Sequence, residues 1–91
     1  MNLENVRKHI FVIGRVQGVG FRFRVQCLAS GYKLTGWVRN LDDGRVEMEL
    51  QGSEDRMRQL FDELNNDRFI RIKEIQAEII PVVEEKGFRV R

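Results

Sequence analysis

The segment Gly14-Arg15-Val16-Gln17-Gly18-Val19-Gly20-Phe21-Arg22 holds the residues whose types and spacing best suit chemistry. Glycines at 18 and 20 carry no side chain that would keep a phosphate oxygen away from the main chain. Successive N–H groups in a loop between a strand and a helix form an anion-binding concavity, and the helix start adds its positive end. Arg22, in the first helical turn, offers a planar fork of donors to the same anion. These residues read as an oxyanion cradle. A tight strand-to-helix turn with a solvated arginine accounts for the same letters equally well.

Several familiar motifs are excluded. No Lys-Ser or Lys-Thr follows the glycines, so this is not a nucleotide P-loop. GxGxxG fails at its third glycine, which is Phe23. The aromatic RNA-binding pattern is approached by Val19 to Val25, but Arg22 and Arg24 stand where small or apolar residues belong. A cysteine phosphatase needs its thiolate beside the anion loop, whereas Cys27 falls in mid-helix and reads as a core or half-buried thiol.

The elements that must position these residues follow from periodicity. Lys8 to Gly14 is apolar on both strand faces, as in a central strand, and Arg15 to Gly20 is the loop. From Phe21, apolar residues at Val25, Leu28, Ala29 and Tyr32 recur at helical intervals, and Gly31 is placed to end the helix. Leu34 to Asn40 and Arg45 to Gln51 flank an Asp-Gly turn, a hairpin signal. Ser53 followed by Glu54 and Asp55 starts a second helix with its apolar stripe at Met57, Leu60, Phe61 and Leu64. Ile70 to Ile80 is a strand whose apolar residues change phase, which a bulge near Lys73-Glu74, or a strand that starts only there, would reconcile. Gly87 to Arg91 forms a short last strand. The expected fold is α+β: a ferredoxin-like βαββαβ sandwich, an antiparallel sheet with two helices on one face and a short extra C-terminal strand.

Bulk properties narrow the function classes. Ninety-one residues make a single domain, 1–91, with about the first six as a flexible N-terminus. One cysteine permits no intrachain disulfide, and one Cys with one His (His9) cannot build a structural zinc site, so no metal is expected. A net charge of +2, from 16 basic and 14 acidic residues, favours anions mildly but is too even to argue for nucleic acid. The apolar run Ile10 to Ile13 is too short for a membrane span and the N-terminus lacks a signal pattern, so the expected location is cytoplasmic and the expected state a monomer.

The first segment resembles the opening signature of the acylphosphatase family. Gly36-Trp37-Val38-Arg39-Asn40, followed by Asp43-Gly44-Arg45-Val46-Glu47, is similar to the family's second signature, and Gly87-Phe88-Arg89-Val90-Arg91 to its closing strand. The likeness runs from about residue 8 onward. It departs at Asn65-Asn66-Asp67-Arg68, where many members carry a Gly-Pro turn. The resemblance implies hydrolysis of an acyl phosphate to a carboxylate and inorganic phosphate, without a cofactor. It assigns the phosphoryl group to main-chain amides of Arg15, Val16, Gln17, Gly18, Val19 and Gly20 and to Arg22. Asn40 would position the attacking water. On residue type alone, Asn40 reads as a turn residue, and an anion-binding module without catalysis remains a second reading.

Such a division of labour is chemically adequate. The leaving carboxylate has a conjugate-acid pKa of about 4 to 5, so no strong general acid is required. Asn40 is a donor and acceptor but not a strong base, which leaves a substrate phosphate oxygen to take the proton. Arg24, Arg39 and Arg45 read as solvated charges, Glu47 and Glu49 as the wet face of a strand, and His9 as a histidine without a discernible acid partner. Phe21 and Trp37 read as core or site walls.

Overall fold

A computed structural model describes residues 5–91, leaving residues 1–4 of the expected flexible segment outside the described residues; Val6 already belongs to the first strand. The elements are β1 (Val6–Arg15), α1 (Phe21–Gly31), β2 (Thr35–Asn40), β3 (Val46–Gly52), α2 (Glu54–Asn65), β4 (Arg71–Ile80) and β5 (Phe88–Val90). They form one sheet in the order β4-β1-β3-β2-β5 with both helices on one face, the ferredoxin-like arrangement. The first four strands are antiparallel to their neighbours. The fifth joins the edge of β2 in parallel, so the sheet is mixed. Strand direction there is set by the path of the connection from β4, which periodicity does not encode.

β1 is apolar because it is central, hydrogen-bonded to β3 on one side and β4 on the other. Its Ile10 and Val12 face the helices beside Met48 and Val46 of β3, with Val38 of β2 completing the layer. Phe21, Val25, Leu28 and Ala29 of α1 close over one half, Met57, Leu60 and Leu64 of α2 over the other. Truncating one such leucine costs about 2 to 5 kcal/mol. The inner residues Ile75 and Ile79 of the edge strand β4 stay 39% and 69% exposed, because α2 does not reach that far.

The helix ends follow local chemistry. Ser53 caps α2, its Oγ accepting from the N–H of Arg56, with Glu54 and Asp55 in the first turn. α1 runs through Gly31, and the left-handed residue that ends it is Lys33 (φ 59°). There the Leu34 N–H donates to the Ala29 carbonyl and that of Lys33 to Ser30, the paired bonds of a Schellman motif. After α2, where the Gly-Pro turn is replaced, the Asp67 carboxylate accepts from the Phe69 N–H and closes the turn. Cys27 is exposed, lying just off the buried stripe of α1; helical spacing alone did not fix that offset.

The expected bulge lies between β1 and β4. Ile13 pairs with Glu74 and Gly14 with Ile72, leaving Lys73 unpaired, so Ile70 and Ile72 share the inner face with Ile75 and Ala77. Gly14 makes this possible: it sits at φ 141°, and a Cβ there would lie 2.1 Å from the Arg71 carbonyl oxygen.

The helix-free face is an ion-pair ladder more than a wet surface. Glu47 lies between His9 (2.7 Å) and Arg39 (2.6 Å), and Glu49 holds Arg7 at 2.8 Å. Arg7 is only 4% exposed and reaches Glu85 at 2.7 Å, while Gln51 accepts from the Val83 N–H and donates to its carbonyl. These bonds strap residues 81–87 across the sheet as the chain passes from one edge to the other.

The strap's acid dependence has a definite sign. Burial, the largest single influence, would raise the Glu85 carboxyl, but the Arg7 guanidinium, the Thr35 hydroxyl and the Arg89 charge together hold it below the usual carboxylate range. A folded value below the unfolded one of about 4.3 adds stability that is present at neutral pH and lost as pH falls below that range. Glu85→Gln should therefore show a shallower loss of stability between about pH 4.5 and pH 3 than the parent, measured by urea denaturation. Arg7→Met, which leaves two carboxylates without their cation, should cost about 3 to 5 kcal/mol at pH 7.

Candidate active site

β1 ends at Arg15, one residue into the segment expected to be loop, and the turn proper is Val16 to Gly20. Gly18 and Gly20 take left-handed conformations (φ 76° and 77°), and a Cβ added to either would meet nothing within 4 Å. The main chain is thus open to a ligand at both positions. Gly20 also serves as the N-cap of α1, and no side chain occupies the capping position. Val16 is buried and Val19 packs partly against the core, so the turn is anchored through its valines while its glycines face outward.

Val16, Gln17, Gly18, Gly20, Arg22 and Asn40 line one cavity of about 390 Å³. Arg15 and Val19 do not: the first closes β1 and the second turns inward. Asn40 enters from the last position of β2, paired with Val46 of β3. Its Oδ1 is buried and has no hydrogen-bond donor among the described residues. Such an atom costs about 1 to 3 kcal/mol unless a donor reaches it.

The arginines sort by partner. Arg39 pairs with Glu47, Arg45 with Asp43, and Arg24 lies 3.8 Å from Asp67, so none is merely solvated. The Arg22 head instead donates to the main-chain carbonyl of Arg91 over 3.4 Å, near the limit of a hydrogen bond. Of these cations, Arg22 is the one that faces the cavity without a carboxylate side chain paired to it among the described residues.

Gln17 has a role that residue type did not disclose. Its Nε2 donates to the carbonyls of Leu41 (2.8 Å) and Arg45 (3.0 Å), the two ends of the β2–β3 turn. One side-chain amide thus fixes the glycine-bearing turn against the hairpin that presents Asn40. The only signal in the sequence was its place inside the first signature. Trp37 lies on the opposite sheet face between Arg91 (4.4 Å) and Arg39 (5.7 Å), so it is no wall of this site; Phe21, 2% exposed, is one.

A larger open cavity, about 790 Å³, lies at the other end of the same strands, lined by Lys33, Thr35, Ser53, Glu54, Arg56 and Glu85. None of the turn residues reaches it. Among the described residues no group of three His, Cys, Asp or Glu could hold a metal ion, and no helix is long and apolar enough to cross a membrane.

Comparison with known proteins is specific. The acylphosphatase family profile matches residues 8–90. An acylphosphatase of Geobacillus kaustophilus is 45% identical over 86 residues, covering 92% of each chain. One of Clostridium acetobutylicum is 42% identical over 83 residues, 89% of this chain and 91% of its own. The crystal structure of acylphosphatase from Bacillus subtilis, 38% identical, matches with a TM-score of 0.84 over 94% of this chain and 98% of that one.

The Gln17 brace makes a prediction about stability. Gln17→Ala should cost about 1 to 3 kcal/mol in chemical denaturation, because the Leu41 and Arg45 carbonyls lose a donor. Gln17→Glu should cost more at pH 7 than the alanine variant, since a carboxylate would then face two carbonyl oxygens. Equal losses from both would count against the brace.

Proposed function

The chain belongs to the acylphosphatase family and hydrolyses acyl phosphates, and from that premise we propose how its residues divide the work. The main-chain N–H groups of the turn from Arg15 to Gly20 hold the phosphoryl oxygens, with the weight on Val16 to Gly20, the part that meets the cavity. Arg22 exchanges its single long contact to Arg91 for two short charge-assisted bonds to the same group. Asn40 positions water for in-line attack on phosphorus. The observation that carries this reading is that Asn40 lines the same cavity as Arg22 and the glycines, with a carboxamide whose Oδ1 finds no donor among the described residues. A water entering the cavity beside the Asn40 carboxamide would stand next to the phosphoryl group.

The step balances without metal or general acid. The water oxygen forms a bond to phosphorus, and the bond from phosphorus to the acyl oxygen breaks with its electron pair on the departing carboxylate. The water proton passes to a phosphoryl oxygen. Arg22 and the turn amides offset charge on the equatorial oxygens as this happens. The unit of action is a single domain working as a monomer on a small acyl phosphate, and neither nucleic acid nor membrane enters the chemistry. A non-catalytic anion-binding module, the alternative, has no use for a water-positioning carboxamide beside the cradle.

Purified protein should release phosphate from benzoyl phosphate in the presence of a metal chelator; a rate no greater than buffer at micromolar enzyme would defeat the proposal. Asn40→Ala should reduce kcat by about 100- to 1000-fold, corresponding to about 2.7 to 4 kcal/mol, while inorganic phosphate still competes. Arg22→Ala should weaken that competition as well as turnover. Near-normal turnover in Asn40→Ala would remove its assigned role.

A further inference from the structure

The cavity that holds Arg22 and Asn40 does not end at the glycine turn. It continues along the first turns of α1 to Phe23 and Gln26 and across to Val90 on β5. Phe23 is 69% exposed and Val90 39% exposed, and both border the cavity that holds Arg22, Asn40 and the glycines. An exposed phenyl ring on the first turn of α1 contributes little to the core, which Phe21 and Val25 on the same helix already fill. Gln26, between them, donates from Nε2 to the Phe88 carbonyl over 3.4 Å and so links α1 to the strand bearing Val90. The apolar rim is therefore held between two elements, continuous with the polar cradle and next to it.

We infer that Phe23 and Val90 form the wall that receives the acyl group, and that the preferred substrates are acyl phosphates with an aryl or other bulky apolar acyl part. This rests on the proposed phosphate cradle, because only with phosphorus seated there does the acyl oxygen point out of the polar end. The acyl part then has two surroundings, open water or the Phe23–Val90 wall. A phenyl or branched apolar group gains by leaving water and packing edge or face against the Phe23 ring. A methyl group is too small to reach the ring while its phosphate stays seated. The contact forms on binding and persists through the transition state, so its effect falls mainly on KM. The wall is open on one side, so the gain is modest and tolerant of shape.

The test compares kcat/KM for benzoyl phosphate and acetyl phosphate, each divided by its own rate in buffer, in the parent, Phe23→Leu and Phe23→Ala. A ratio of two substrates on one preparation is independent of the fraction correctly folded. The parent should favour benzoyl phosphate by about tenfold. Phe23→Ala should bring the ratio down about 5- to 10-fold, chiefly through KM for benzoyl phosphate, with Phe23→Leu between. A ratio in Phe23→Ala within about twofold of the parent overturns the inference. Inorganic phosphate, added as competitor, distinguishes the two levels of failure. An unmoved ratio with phosphate still competing removes only the acyl wall, whereas no competition in the parent removes the cradle and the wall together.

Discussion

One side-chain amide joins the two halves of the site. Gln17 Nε2 reaches the Leu41 and Arg45 carbonyls, 24 and 28 residues along the chain, and so locks a strand-to-helix turn against the end of a hairpin. Elsewhere the turn is anchored by Val16 and Val19, and the hairpin by its β2–β3 ladder and by the pairing of β1 with β3. Catalysis by positioning tolerates little error, since a displacement of about 1 Å can cost 100-fold in rate. A neutral amide suits the task because it donates twice to neutral carbonyls and adds no charge near an anion. A lysine there would bring a cation into competition with Arg22, and a shorter asparagine would not span the gap.

Much of the molecule was readable from residue order because its signals are local. Alternating Val46, Met48 and Leu50 against Glu47 and Glu49 gave a strand with one buried face, and Ser53 with its acids gave the start of α2. Even the bulge was visible, since a change of phase between Ile72 and Ile75 leaves few other solutions. What could not be read depends on distant partners. His9 meets Glu47 across 38 residues, and Arg7 is buried because Glu85 crosses over it from 78 residues away. The parallel direction of β5, the left-handed Lys33 and the outward Cys27 likewise depend on packing and on the path of connections. In the candidate site the glycines and Arg22 stood out by type and Asn40 only through the family resemblance, while the brace at Gln17 and the rim at Phe23 emerged only from the assembled sheet.

The two sheet faces divide labour. The helix-covered face supplies cohesion through close-packed aliphatic residues, and the open face supplies registry through the charge pairs of Arg7 and Arg39 with Glu47, Glu49 and Glu85 and the contact of His9 with Glu47. Pairs of that kind add little net stability, since desolvation offsets much of their attraction. Their value is directional. A one-residue slip of β1 against β3 would bring Arg7 and His9 out of line with Glu49 and Glu47, as it would turn Ile10 and Val12 outward. Cohesion and registry thus select the same alignment, the one that brings the end of β1 alongside the end of β2.

The strap over the open face also governs when this chain can become native. β1 is made first, yet its neighbours are β3 and β4, and the partner of its buried arginine is Glu85. Pairings so remote in sequence are slow to form because loop closure precedes any reward. Within this domain Ile10 and Val12 therefore lack their β3 and β4 neighbours until both of those strands have been added, and that interval is when misassociation threatens most.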